Sequence, residues 1–132
     1  MTLQYLLDSQ RTFQTRMGTD FTTMHETERS AFIKEHGYFL MEEVMEMFRE
    51  MPFHKSWKDY SDWGQVAHLL AKQKMKEEAI DALHFMMNIF LALGMDEKEI
   101  LSMYNEKNKL NYERQENAEL GYVQSTMKSE EL

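Results

Sequence analysis

Along most of the chain, apolar residues recur at the three- and four-residue spacing of helix faces, with little of the alternation that marks strands. Leu3, Leu6, Leu7, Phe13 and Met17 predict a first helix over 2–17, with Thr2 placed to cap its start and Gly18 to stop it. A polar loop over 19–28 follows, in which Asp20 and Thr27 offer helix caps. A second helix is predicted over 28–51, where Phe32, Tyr38, Phe39, Met41, Val44, Met45 and Phe48 form an apolar face wide enough for burial on more than one side. Pro52 forbids its easy continuation. After a connector, a third run begins near Ser61 or Asp62 with Trp63, Val66, Leu69 and Leu70. It leads, with or without a break, into a helix over 74–93 carrying Ile80, Leu83, Met86, Met87, Ile89, Phe90 and Leu93, with Gly94 as C-terminal cap. A last helix over 96–117 carries Ile100, Leu101, Tyr104 and Leu110. The expected architecture is all-α, a bundle of four to five helices in one domain over 1–122, followed by a polar, loose tail over 123–132.

Composition supports this outline and removes several chemistries. One Pro and five Gly in 132 residues leave few interruptions, and 42% hydrophobic content suffices for one core. A net charge of -8 argues against a general nucleic-acid surface, but not against a phosphorylated ligand delivered with a cation. With no Cys, disulfides, zinc-thiolate sites and thiol catalysis are excluded together. The 13 Met residues read as adaptable core or subunit-interface filler. Asp8 sits early, and no apolar run is long enough to span a bilayer, so a soluble cytoplasmic protein with no membrane partner is expected.

Candidate chemistry lies in two acidic clusters set inside apolar runs, Glu42-Glu43-Val44-Met45-Glu46 and Glu78-Ala79-Ile80-Asp81. Positions three apart share a helix face, so Glu43 with Glu46, and Glu78 with Asp81, each present paired carboxylates. Four such groups brought together repel and lose hydration unless a hard, oxygen-seeking ion such as Mg²⁺ joins them. The alternative is a set of solvated helix faces, since 23 Asp and Glu produce such spacings by chance. Gln10 and Gln14 share a face of the first helix, where amides can read a nucleobase or simply meet solvent. In the connector, Lys55 and Lys58 can reach a phosphate, and Trp57 can stack on a base or pack on the bundle. Lys107, Asn111 and Arg114 line one face of the last helix. They suit a triphosphate's oxygens, or else form a polar helix end in which Lys107 pairs with nearby Glu. His25, His36 and His54 have no mutual spacing of a metal site.

The runs Glu78-Ala79-Ile80-Asp81-Ala82-Leu83-His84-Phe85, then Asn88, Leu93-Gly94-Met95, Lys107-Asn108-Lys109-Leu110-Asn111-Tyr112-Glu113-Arg114-Gln115 and Gly121-Tyr122 carry a resemblance. They resemble the dimeric dUTPase and T-even phage dCTP pyrophosphatase group of the all-α nucleoside triphosphate pyrophosphatases, the MazG-like superfamily. That superfamily's E-x-x-E and E-x-x-D signature falls on Glu43, Glu46, Glu78 and Asp81, with Glu42 as the extra acid before the first pair. In the first half, Leu6-Leu7-Asp8-Ser9-Gln10 and Phe13 resemble the dimeric dUTPase helix whose Gln helps read the pyrimidine.

The resemblance implies hydrolysis of a pyrimidine deoxynucleoside triphosphate to monophosphate and pyrophosphate, with dUTP favoured and dCTP as a second substrate. It implies two or more Mg²⁺ ions, replaceable by Mn²⁺, on Glu43, Glu46, Glu78 and Asp81, with Glu43 and Glu46 catalytic and Glu43 taking the proton of the attacking water. Lys107, Asn111, Arg114, Tyr122 and Lys55 are then the residues for phosphate and substrate, and Gln10, Asn88 and Trp57 those for the base. A homodimer or dimer of dimers is implied, in a bacterial cytoplasm or, for a phage-encoded chain, that of the host. The alternatives are a broad-specificity MazG-type house-cleaning pyrophosphatase and a non-enzymatic helical metal-binding or interaction protein.

Overall fold

The computed structural model describes residues 1–52 and 54–119, with side chains described up to Asn117. Four helices are found, α1 (Leu3–Arg16), α2 (Glu26–Glu50), α3 (Gln65–Ala92) and α4 (Glu97–Glu119), and no strand among the described residues. The chain divides into two compact units, Met1–Met95 and Asp96–Leu132. The expected domain boundary at 122, Tyr122 and the tail over 123–132 lie outside the described residues.

Local chemistry sets the helix ends. The Thr2 hydroxyl accepts from the Tyr5 amide at 3.2 Å and caps α1. At its other end Gly18 takes φ +93°, its amide donates to the Thr15 carbonyl, and the Thr19 amide reaches back to Gln14. Gly94, at φ +72°, closes α3 in the same way through Leu91 and, from Met95, Phe90. α4 starts on Asp96, whose carboxylate accepts from the Glu99 amide.

Two boundaries differ from expectation. Asp20 spends its carboxylate on the amide and hydroxyl of Thr22, so it closes a turn instead of capping, and α2 begins at Glu26. The third run does not turn helical at Ser61 or Asp62. Asp59 accepts from the Ser61 amide, the Trp63 amide donates to Tyr60, and the Tyr60 and Trp63 rings meet edge to face, so α3 waits until Gln65. From there it runs unbroken through the second acidic cluster.

Within Met1–Met95, α2 packs along α3 and α1 packs on α3. The packed seam of α2 runs through Phe32, His36, Phe39, Glu43, Met47 and Glu50, and that of α3 through Ala71, Met75, Glu78, Ala82, Phe85 and Ala92. Both follow the heptad-like rhythm of paired helices, and each contains one acid of its own helix's cluster, Glu43 on α2 and Glu78 on α3. The helices are antiparallel. Glu50 pairs with Lys74 near one end, Phe39 meets Phe85 at 5.4 Å in the middle, and the Arg29 guanidinium donates to the Ala92 carbonyl at the other end. Leu7, Phe21, Tyr60, Ala71, Met87, Leu91 and Ala92 form the buried apolar core.

Part of the expected core face is not core. Tyr38, Met41, Met45 and Phe48 on α2, and Val66, Leu69, Leu70, Ile80 and Leu83 on α3, are exposed.

Candidate metal and nucleotide site

The antiparallel pairing of α2 and α3 is what brings the acids together. Glu43, Glu46 and Glu78 each offer a carboxylate oxygen lying within 4.8 Å of the others. Glu43 and Glu78 occupy the packed seams and are half-buried, while Glu46 is exposed. One oxygen of each, Oε2, is buried without a hydrogen-bond partner. Asp81 is exposed one turn beyond Glu78, and its charge bears on both seam carboxylates. The ion pairs Arg29–Glu26 and Lys74–Glu50 leave the cluster untouched.

This crowding shows in the acidities. Burial, then a hydrogen bond with Glu78, then the charges of Glu46 and Asp81 push Glu43 up to about 7. For Glu78 the hydrogen bond with Glu43 acts downward, but burial and the neighbouring charges of Glu46 and Asp81 outweigh it and leave the group raised. Each of the two carboxylates thus keeps its proton to a higher pH than an ordinary glutamate does. Orphaned buried oxygens, mutual proximity and an all-oxygen donor set fit a hard divalent cation, which would replace those protons.

Beside the cluster lies a cleft of about 210 Å³ lined by Gln10, Phe13, Gln14, Glu43, Asp81, His84, Phe85 and Asn88. Two phenyl rings, one imidazole, three amides and two carboxylates of the acidic clusters therefore share one cavity. Two of the amides, Gln10 and Asn88, are held by a chain of hydrogen bonds that joins all three helices of this unit. Gln10 Nε2 donates to Asn88 Oδ1 at 2.8 Å, and Asn88 Nδ2 contacts His36 Nδ1 at 3.1 Å. Asn88 is only 1% exposed, and Gln14 and His36 are buried.

Of the residues picked out from the sequence, Glu43, Glu46, Glu78, Asp81, Gln10 and Asn88 are brought to this region. Lys55 and Trp57 do not line the cleft. The Lys55 amide donates to the Tyr60 hydroxyl, and the Trp57 side chain is 82% exposed. Lys107, Asn111 and Arg114 are exposed on α4, in the other unit. Tyr122 lies outside the described residues. Glu42 faces a separate groove on α2 with Tyr38, Met41, Met45, Glu46 and Arg49. Phe13, Phe85 and His84 line the cleft although the sequence pattern suggests no role for them at a base, and Gln14 joins Gln10 there. Gln14 was signalled by its helical spacing from Gln10, whereas the rings read simply as apolar positions.

Known proteins are similar to the chain in sequence. A family described as dUTPase matches residues 2–93, which include all of α1, α2 and α3. The dCTP pyrophosphatase of Enterobacteria phage LZ5 is 32% identical over 138 aligned residues, covering 86% of this chain and 80% of the phage protein. That of Enterobacteria phage T4 is 48% identical over 44 residues, 33% of this chain and 26% of the phage protein. No solved structure matches the chain. The chain belongs to the dUTPase family, in the dimeric dUTPase and dCTP pyrophosphatase group, and is an enzyme of the nucleoside triphosphate diphosphatase type.

Proposed function

We propose that the chain is a Mg²⁺-dependent pyrophosphohydrolase that converts dUTP, with dCTP as a second substrate, to the nucleoside monophosphate and pyrophosphate. The observation that carries this reading is that Glu43 and Asp81 border a cleft furnished with Gln10, Gln14 and Asn88. One cavity thus offers both oxygen ligands for a cation and amide donors and acceptors for a base.

Glu43, Glu46, Glu78 and Asp81 would hold Mg²⁺, or Mn²⁺ in its place, which supplies charge neutralisation at the phosphates and a more acidic bound water. Glu43, facing the cleft, accepts the proton of the attacking water, and Glu46 beside it keeps the negative field that the cation requires. Phe13 and Phe85 enclose the base while the amides pair with its edge. Lys107, Asn111 and Arg114, with Lys55 and Tyr122, are assigned to the phosphates and sugar on the resemblance and on helical spacing, and Trp57 to stacking on the same grounds. A homodimer is part of the proposal.

Pyrophosphate release from each canonical dNTP and from dUTP, with Mg²⁺ present, tests the reading. Pyrimidine nucleotides are expected to be cleaved in preference to purines; equal rates for purines would favour the broad house-cleaning activity instead. Glu46→Ala and Asp81→Ala should each lower the rate to about 1% of the parent or less while the helical circular dichroism is kept. Retained turnover in both variants would remove the metal assignment.

A further inference from the structure

The buried His36 has no part in the chemistry above, yet it ends the hydrogen-bond chain that holds the amides. Its ring stacks on Phe32 at 3.9 Å and meets Phe39 and Phe85 at 5.3 and 5.8 Å, so it cannot turn freely. It does not line the cleft, whereas its partner Asn88 does.

An amide in such a chain has two possible directions. Asn88 Oδ1 accepts from Gln10, so the group turned to His36 is the Nδ2 amine, which can only donate. His36 Nδ1 must then be the acceptor, with its proton on Nε2. Burial, only partly opposed by the charge of Glu35, holds the imidazole below the ordinary histidine range and keeps it neutral, as that role demands. A ring protonated at Nδ1 would require Asn88 to turn over, and Gln10 after it.

Direction matters because the two pyrimidines differ in it. Uracil presents a donor at N3 beside an acceptor at position four, and cytosine presents an acceptor at N3 beside a donor. A freely rotating amide satisfies either base. An amide anchored at both ends matches one and leaves mispaired polar groups against the other.

We propose that His36 is a positioning residue that sets the preference between uracil and cytosine nucleotides by holding the Asn88 amide, and through it Gln10, in one orientation. The proposal rests on the pyrimidine-nucleotide reading of the cleft. It is tested by the ratio of kcat/KM for dUTP to that for dCTP in the parent, in His36→Phe and in His36→Gln. Because both substrates meet the same protein, loss of folded enzyme cancels from the ratio, and only a change in base discrimination moves it.

The parent is expected to prefer one pyrimidine by about tenfold or more. His36→Phe fills the aromatic stack but offers no acceptor, and should bring the ratio about tenfold closer to one. His36→Gln can turn either end of its amide to Asn88, and should bring it closer by about threefold or more, which keeps the test available if the Phe variant does not fold. An unchanged ratio in a folded variant, or a parent that cleaves both pyrimidines equally, overturns the role of His36. A parent that cleaves no nucleotide overturns the proposed function itself, and with it this inference, and is told apart by the absence of any ratio to measure.

Discussion

Glu43 is pulled in opposite directions by burial and by the charge that a cation needs. Its ordinary value of 4.5 is raised to about 7 in the folded chain. Between these values the folded state keeps a proton that the unfolded chain has already released. The contribution to stability is therefore complete below about pH 4.5 and is lost as pH rises through about 7. In metal-free protein, the melting temperature of the parent relative to Glu43→Gln should fall across this window, as read by circular dichroism in the presence of a chelator. A relative melting temperature that rises or stays flat would contradict the assigned acidity. The proposed Mg²⁺ would bind the deprotonated pair, so its stabilising effect should grow from about pH 5.5 to about pH 8 and be diminished in Glu43→Gln. Asn88 shows the same dependence on surroundings in a neutral group. An isolated amide can turn either end to a neighbour, whereas Asn88 is bonded on one side to Gln10 and on the other to His36.

At the scale of elements, the seam between α2 and α3 positions the site, and glycines at the ends of α1 and α3 let the chain leave those helices sharply. Gly18 and Gly94 have positive φ and open space where a Cβ would stand, so substitution there costs backbone strain without a steric clash. Gly18→Ala and Gly94→Ala should each lower stability by about 1 kcal/mol in urea denaturation. Gly37 also faces open space but lies inside α2 without positive φ. There the same replacement should stabilise by about 0.5–1 kcal/mol, because Ala has the greater helix propensity. A common sign at all three positions would show that the strain assigned to Gly18 and Gly94 is absent.

At the scale of the whole molecule, α2 presents two faces. One meets α3; the other keeps Tyr38, Met41, Met45 and Phe48 in solvent at spacings of three and four residues, a stripe that water disfavours. No single described helix is long and apolar enough to cross a membrane, so its composition does not mark α2 as a span. The proposed homodimer gives this stripe a partner. Sedimentation should show a dimer, with a melting temperature that rises with protein concentration, and Met41→Lys with Met45→Lys should shift it toward monomer. A parent that stays monomeric at high concentration would remove the dimer from the proposal.

The sequence by itself determined the helices, their polarity and the paired acids, because helix periodicity and capping are local. Thr2, Gly18 and Gly94 act within a few residues of where they stand, and Glu43 with Glu46, or Glu78 with Asp81, share a face on any α-helix. The extent of α3 was less legible, since the turn bonds of Asp59 and Tyr60 compete with an apolar pattern that looks helical from Trp63 onward. Only the tertiary structure decided that Glu43 meets Glu78, that one oxygen of each is buried without a partner, and that their pKa values rise. It also decided that His36 is linked through Asn88 to Gln10, across three helices, and that Trp57 stays in solvent. These outcomes depend on the register and direction of two long helices packed side by side. No short-range spacing encodes that register, which emerges when the seams of α2 and α3 bury their apolar residues together.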